Sequence, residues 1–133
     1  MENKKVLVVD DEIHIVQIVA MKLRYNGFEV ITADNGDIAY KLCCQERPDI
    51  IVTDYQMPGM TGIELIEKVR GTAGIENTPV IMLTERGFAI EGKQKKKLNI
   101  AACLSKPFSP KELLSHVENV LPSLLLAKQE MGQ

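Results

Sequence analysis

The sequence predicts an α/β fold built on a doubly wound, five-stranded parallel sheet. Three observations carry this expectation: short Val/Ile-rich runs recur about every 20 to 25 residues, segments of helical apolar spacing lie between them, and three of the runs are apolar throughout. Strands covered by helices on both faces have no solvent side to fill with polar residues, so they lose the alternation of a half-exposed strand. Strict alternation of strand and helix then favours a parallel sheet sandwiched between helices. The 133 residues suit one domain, and with 45% hydrophobic and 26% charged residues the chain can bury a core without covalent staples.

Taken in order, the strands are expected at Val6 to Val9, Phe28 to Ile31, Ile50 to Thr53, Val80 to Leu83 and Ala101 to Leu104. The first helix follows from Ile13, Val16, Ala20 and Leu23 at i, i+3, i+7 and i+10, and Asn26-Gly27 closes it with a residue able to take positive φ. Two later helices announce their starts with a capping box, Thr61 with Glu64 and Ser109 with Glu112, the second having Pro110 at the first helical position. Leu113, Val117, Val120 and Leu124 give the last helix its apolar stripe, and Lys93, Lys95, Lys96 and Lys97 are expected on a solvated face of the fourth. The domain is expected over residues 1–121, with 122–133 a helical extension or tail.

Charge and cysteine content narrow the function. Lys and Arg number 16 against 18 Asp and Glu, so a net charge of -2 offers no broad basic footprint for nucleic acid. No apolar run approaches the ~20 residues that span a bilayer, and MENKKVLVVDDE runs into acid before any signal-peptide core could form. Cys43, Cys44 and Cys103 form no zinc motif, and the expected home is a reducing cytoplasm.

In open parallel sheets, ligands gather outside the carboxyl ends of the strands. There the first strand ends in Asp10-Asp11, the third in Asp54, the fourth in Thr84, and Lys106-Pro107 follows the fifth. Three carboxylates brought together repel, so either some are protonated or a cation holds them. A hard divalent ion such as Mg²⁺, bound by one or two carboxylates, would leave another free as nucleophile, with Lys and Thr as donors to a transferring phosphoryl group.

The stretches VLVVDDE, DIIVTDYQMPGMTGIEL, VIMLTERG and LSKPFSPKELL together resemble the receiver domains of two-component response regulators, over about residues 4 to 121. The resemblance implies a flavodoxin-like sheet of order 2-1-3-4-5 with five helices, and a signalling switch rather than a metabolic enzyme. It implies Asp54 as phosphoacceptor and Mg²⁺ as cofactor. Asp11 and Asp54 would be direct ligands, with Asp10 close or through water and the carbonyl of Gln56 as a further ligand. Thr84 would be the switch hydroxyl, and Lys106, before a cis proline, the ammonium paired with the phosphoryl group.

The implied partners are a histidine kinase or phosphotransfer protein and a downstream effector, with no direct contact to nucleic acid or membrane. The chain would be a monomer or a weak dimer through the face of helix four, strand five and helix five. Two positions depart from the family: Cys103 stands where the switch aromatic is usual, and Glu85 where a small residue follows the switch Thr. Gln56 and Arg86 match positions flanking the path of the attacking water. A phosphate-independent interaction module is one competing reading. A small Asp-nucleophile phosphohydrolase is the other, and it would want an acid-base Asp where Gln56 stands.

Overall fold

The structure, a computed structural model, describes residues 3–85 and 90–121. Strands β1 (Lys5–Val9), β2 (Glu29–Ala33), β3 (Ile50–Asp54), β4 (Val80–Thr84) and β5 (Ile100–Ser105) alternate with helices α1 (Ile13–Tyr25), α2 (Gly36–Glu46), α3 (Gly62–Arg70), α4 (Gly92–Lys97) and α5 (Pro110–Val120). All strand pairs are parallel, in the order β2-β1-β3-β4-β5. The expected architecture is the observed one. Arg86 and the expected tail at 122–133 lie outside the described residues.

Two apolar layers sandwich the sheet. Val6, Val8, Ile50, Val52, Ile81 and Leu83 face α1 and α5, while Leu7, Val9, Ile51, Val80 and Met82 face the layer containing α2 and α3. The apolar residues of β1, β3 and β4 are therefore buried whichever way they point, and each large one contributes about 1.5–3 kcal/mol by leaving water. This is the physical content of their unbroken apolarity.

Three expectations need correction. Ile13 is 69% exposed; the stripe that packs is Val16, Val19, Ala20 and Leu23. The first turn of α1 overhangs the strand ends, and Ile13 borders a shallow cleft with Asp10, Asp11, Asp34 and Ile38. Phe28 precedes β2 rather than opening it, because its amide donates to the Leu23 carbonyl and so completes the turn that ends α1. The capping box at Thr61 is complete, whereas Ser109 only accepts from the Glu112 amide.

One glycine sets the height of the site. Gly62 opens α3 with its amide donating to the Tyr55 carbonyl at 2.8 Å. A Cβ there would collide with the backbone carbonyl of Asp54 and lie 3.0 Å from Met82 Sδ. Gly62→Ala is expected to lose about 1–3 kcal/mol by overpacking, read as a lower urea midpoint; an unchanged midpoint would show that the end of β3 yields freely.

Candidate functional site

The carboxyl edge of the sheet gathers the acids. Asp10 lies immediately past β1, where its amide donates to Ala33 O at 3.2 Å and its Oδ1 accepts from the Glu12 amide at 3.0 Å. Asp54 is the last residue of β3, fixed because β3 pairs with β1 on one side and β4 on the other. Carboxylate oxygens of Asp10, Asp11 and Asp54 lie within 4.8 Å of one another, with Asp10 and Asp54 buried and Asp11 exposed.

Lys106 reaches back into this cluster from the end of β5. Its Nζ sits 3.0 Å from Asp10 Oδ2, 3.1 Å from Glu12 Oε1 and 3.4 Å from Asp54 Oδ2. Its backbone amide donates to the Thr84 carbonyl at 2.7 Å, and the Lys106–Pro107 peptide is cis. One ammonium thus serves three carboxylates, two of them buried.

The titration of the groups reflects that imbalance. Burial pushes the Asp54 carboxyl up to about 6, the charge of Asp10 adds to the rise, and Lys106 only partly counters it. Burial likewise raises Asp10, against the Glu12 amide and Lys106. For Lys106, burial alone would favour the neutral amine, but the hydrogen bond and charge of Asp10, with Asp54 and Glu12, outweigh it and hold the ammonium firmly protonated.

The donor set fits a hard divalent cation. Three clustered carboxylates with a single lysine carry surplus negative charge, and Asp10 Oδ2, although ion-paired, meets no hydrogen-bond donor in proper geometry among the described residues. Oxygen ligands and surplus charge are what Mg²⁺ or Ca²⁺ requires, rather than a softer metal.

The remaining candidate residues are less tightly joined. Thr84, 3% exposed, ends β4 one residue beyond Leu83, the register partner of Asp54. Cys103 registers with Met82, two residues before Thr84 on the same sheet face, and is half-buried. Gln56 is exposed in the loop after β3, bordering a separate shallow pocket with Met57, Pro58 and Thr61.

Glu85 is exposed and lines a groove of about 470 Å³ between α1 and the β5–α5 loop, together with Glu12, Ile18, Lys106 and Phe108. That groove is roomier than the cleft over the acids, but its lining is mostly apolar and the clustered carboxylates lie outside it. Glu12, the third acid of VLVVDDE, is a site residue that the motifs do not single out, although it shares Lys106 with Asp10 and Asp54. Its signal was an acid directly before the first turn of a helix.

Comparison with known proteins agrees with this geometry. Residues 6–118 match the family model of the response regulator receiver domain. The chain is 34% identical over 121 residues to the phosphate regulon transcriptional regulatory protein PhoB of Pseudomonas aeruginosa, covering 91% of this chain and 53% of that one. It is 37% identical over 119 residues to the alkaline phosphatase synthesis transcriptional regulatory protein PhoP of Bacillus subtilis, covering 90% and 49%. The chain therefore spans about half the length of these curated relatives. Among solved structures, the chemotaxis response regulator CheY4 of Vibrio cholerae superposes with a TM-score of 0.83 at 38% identity, covering 90% of this chain and 100% of that one. With its sheet order, its acid cluster and these matches in agreement, the chain belongs to the response regulator receiver domain family.

Proposed function

We propose that the chain is the phosphoacceptor switch of a two-component phosphorelay, with Asp54 as acceptor and residues 1–121 as the receiver unit. The observation that carries this reading is the trio of Asp10, Asp11 and Asp54 at one sheet edge with Lys106 beside it. At neutral pH the Asp54 carboxyl, raised only to about 6, is mostly ionised and able to attack. One of its oxygens forms a bond to the phosphorus of a phosphohistidine as the P–N bond breaks, and the imidazole leaves with the electron pair. Hydrolysis later breaks the acyl phosphate by attack of water on phosphorus, returning the carboxylate and releasing phosphate.

Asp10, Asp11, Asp54 and the carbonyl of Gln56 would hold Mg²⁺, which when bound supplies positive charge against the developing charge of the phosphoryl oxygens. Lys106 and the Thr84 hydroxyl act as donors to the same oxygens. Hydrogen bonds to charged groups contribute ~1.5–3 kcal/mol each. Two of them suffice, to order of magnitude, for the ~5.5 kcal/mol that moves a switch from 1:99 to 99:1.

The donor is a histidine kinase or phosphotransfer protein and the reader an effector protein at the α4–β5–α5 face, in the cytoplasm. Cys103 stands where the family's switch aromatic is usual, so the signal passes through the backbone that Thr84 draws with it. The chain catalyses only its own acylation and deacylation. Gln56, two residues past Asp54, provides no carboxyl for the acid-base step that a phosphohydrolase of the Asp-nucleophile kind uses.

Intact-mass measurement after incubation with acetyl phosphate tests this reading. One phosphoryl adduct is expected, requiring both Mg²⁺ and Asp54 and absent from Asp54→Asn. An adduct on the Asn variant would move the acceptor elsewhere. No adduct on the wild-type chain, together with no accelerated loss of acetyl phosphate, would favour a phosphate-independent interaction module.

A further inference from the structure

Helix α1 begins without a side-chain cap. Glu12 is its N-cap residue, and the Glu12 carbonyl accepts from the Ile15 and Val16 amides, but the Glu12 side chain bonds no amide of the first turn. An oxygen of the N-cap side chain commonly satisfies such an amide. Here it turns to an ammonium beyond the end of β5 instead, with Oε1 accepting from Lys106 Nζ at 3.1 Å across 94 residues.

Lys106 has three N–H donors and three carboxylates about it. The three are not equivalent. The side chains of Asp10 and Asp54 are 0% and 5% exposed, whereas that of Glu12 is 44% exposed. Parting the ammonium from Asp10 leaves a buried charge unpaired, while parting it from Glu12 leaves a carboxylate that water takes up. The Asp54 contact is the longest of the three, at 3.4 Å, and a phosphoryl group on that carboxylate would carry its oxygens farther from β3 than Oδ2 stands. To reach them the ammonium gives up a contact, and Glu12 is the partner it leaves at least cost.

Charge acts in the same direction. A phosphoryl group brings about -1.5 to -2 to a place where one ammonium already meets three carboxylates. A divalent cation among Asp10, Asp11 and Asp54 would offset those acids, but Glu12 stands outside the trio.

We propose that Glu12 is a positioning residue that acts through Lys106: it holds the ammonium while Asp54 is free and yields it to the incoming phosphoryl group, so that transfer is slower than Lys106 alone would allow. The inference rests on the phosphoacceptor reading and adds to it a brake on the rate of acylation.

The test follows, by intact mass of the full chain, the second-order rate constant for adduct formation from acetyl phosphate with Mg²⁺. Glu12→Gln keeps an acceptor oxygen and removes the charge, and Glu12→Ala removes both. Each is expected to react about twofold to fivefold faster than wild type, the range that one exposed ion pair covers, and the gain is expected to shrink as salt is added. Glu85→Gln removes another exposed acid of the same groove, one with no ion pair to Lys106 among the described residues, and is expected to give less than half that gain. In the unphosphorylated chain, Glu12→Gln is also expected to move the Lys106 ammonium resonance in a ¹⁵N–¹H spectrum, a readout that needs no phosphodonor.

An unchanged or lowered rate in either Glu12 variant, an equal gain from Glu85→Gln, a gain indifferent to salt, or an unmoved Lys106 resonance would each overturn the proposal. An adduct that requires Asp54 but ignores Glu12 overturns this inference alone. No adduct on the wild-type chain or on either Glu12 variant overturns the phosphoacceptor reading with it.

Discussion

Without divalent cations, at about pH 8, Asp54→Asn is expected to be more stable than the wild-type chain by about 1–3 kcal/mol. The Asp54 carboxyl titrates near 6 in the fold against 3.8 when free, because it is buried beside Asp10. At ~1.36 kcal/mol per unit, that difference sets a ceiling of about 3 kcal/mol. Losing the Lys106 contact takes back part of it.

The sign follows from proton binding. Between about pH 4 and 6 the folded chain holds a proton that the unfolded chain has released, so wild-type stability falls as pH rises through that window. The advantage of the Asn variant is therefore fullest above about pH 6 and vanishes below about pH 4. Urea denaturation of both proteins across this range measures it directly. Mg²⁺ is expected to raise the wild-type midpoint more than that of Asp54→Asn, since a ligand of the native state stabilises it by RT ln(1 + [L]/Kd) and so more the more tightly it binds. An Asn variant less stable than wild type at every pH would mean that Lys106 more than compensates the burial of Asp54.

Lys106→Ala is expected to have the larger effect, a loss of about 3–5 kcal/mol at about pH 8. It leaves Asp10, fully buried, and Asp54 with no cation within reach among the described residues, and an uncompensated buried charge is among the costliest defects a fold can carry. The loss shrinks on acidification, because the stranded carboxyls then take up protons and become neutral. Combining Lys106→Ala with Asp54→Asn is expected to recover part of it, a non-additivity that marks groups in direct contact. If the single variant loses under about 1 kcal/mol with no dependence on pH, the acids are held by solvent rather than by Lys106.

The sheet was legible in the sequence because burial on both faces leaves a signature needing no partner to interpret: VLVV, IIVT and VIML admit polar residues only at their ends. The same abruptness exposed the site, since Asp10 and Thr84 follow directly on apolar residues and Asp54 follows Ile50 to Val52 with only Thr53 between. What escaped was set by geometry beyond the strand. Ile13 reads as stripe by spacing, yet whether a first turn lies over the sheet or beyond it depends on the length of the preceding loop. The ammonium that Glu12 meets lies outside its own stretch, on Lys106, 94 residues away. The start of α2 rests on Asn35, which accepts from the Ile38 amide, a cap with no apolar run behind it to draw attention.

The bond from the Lys106 amide to the Thr84 carbonyl has a mechanical consequence. The hydroxyl and the ammonium, contributed by different strands, ride on backbones tied at 2.7 Å, while Asp54 stands in a strand braced on both sides and backed by Gly62. Both β3 and β4 are paired on either side, but only β4 is tied at its end to the residue that carries the ammonium. On the function proposed above, a displacement of the end of β4 would carry the base of Lys106 with it, so hydroxyl and ammonium would approach or leave the carboxylate in a single stroke.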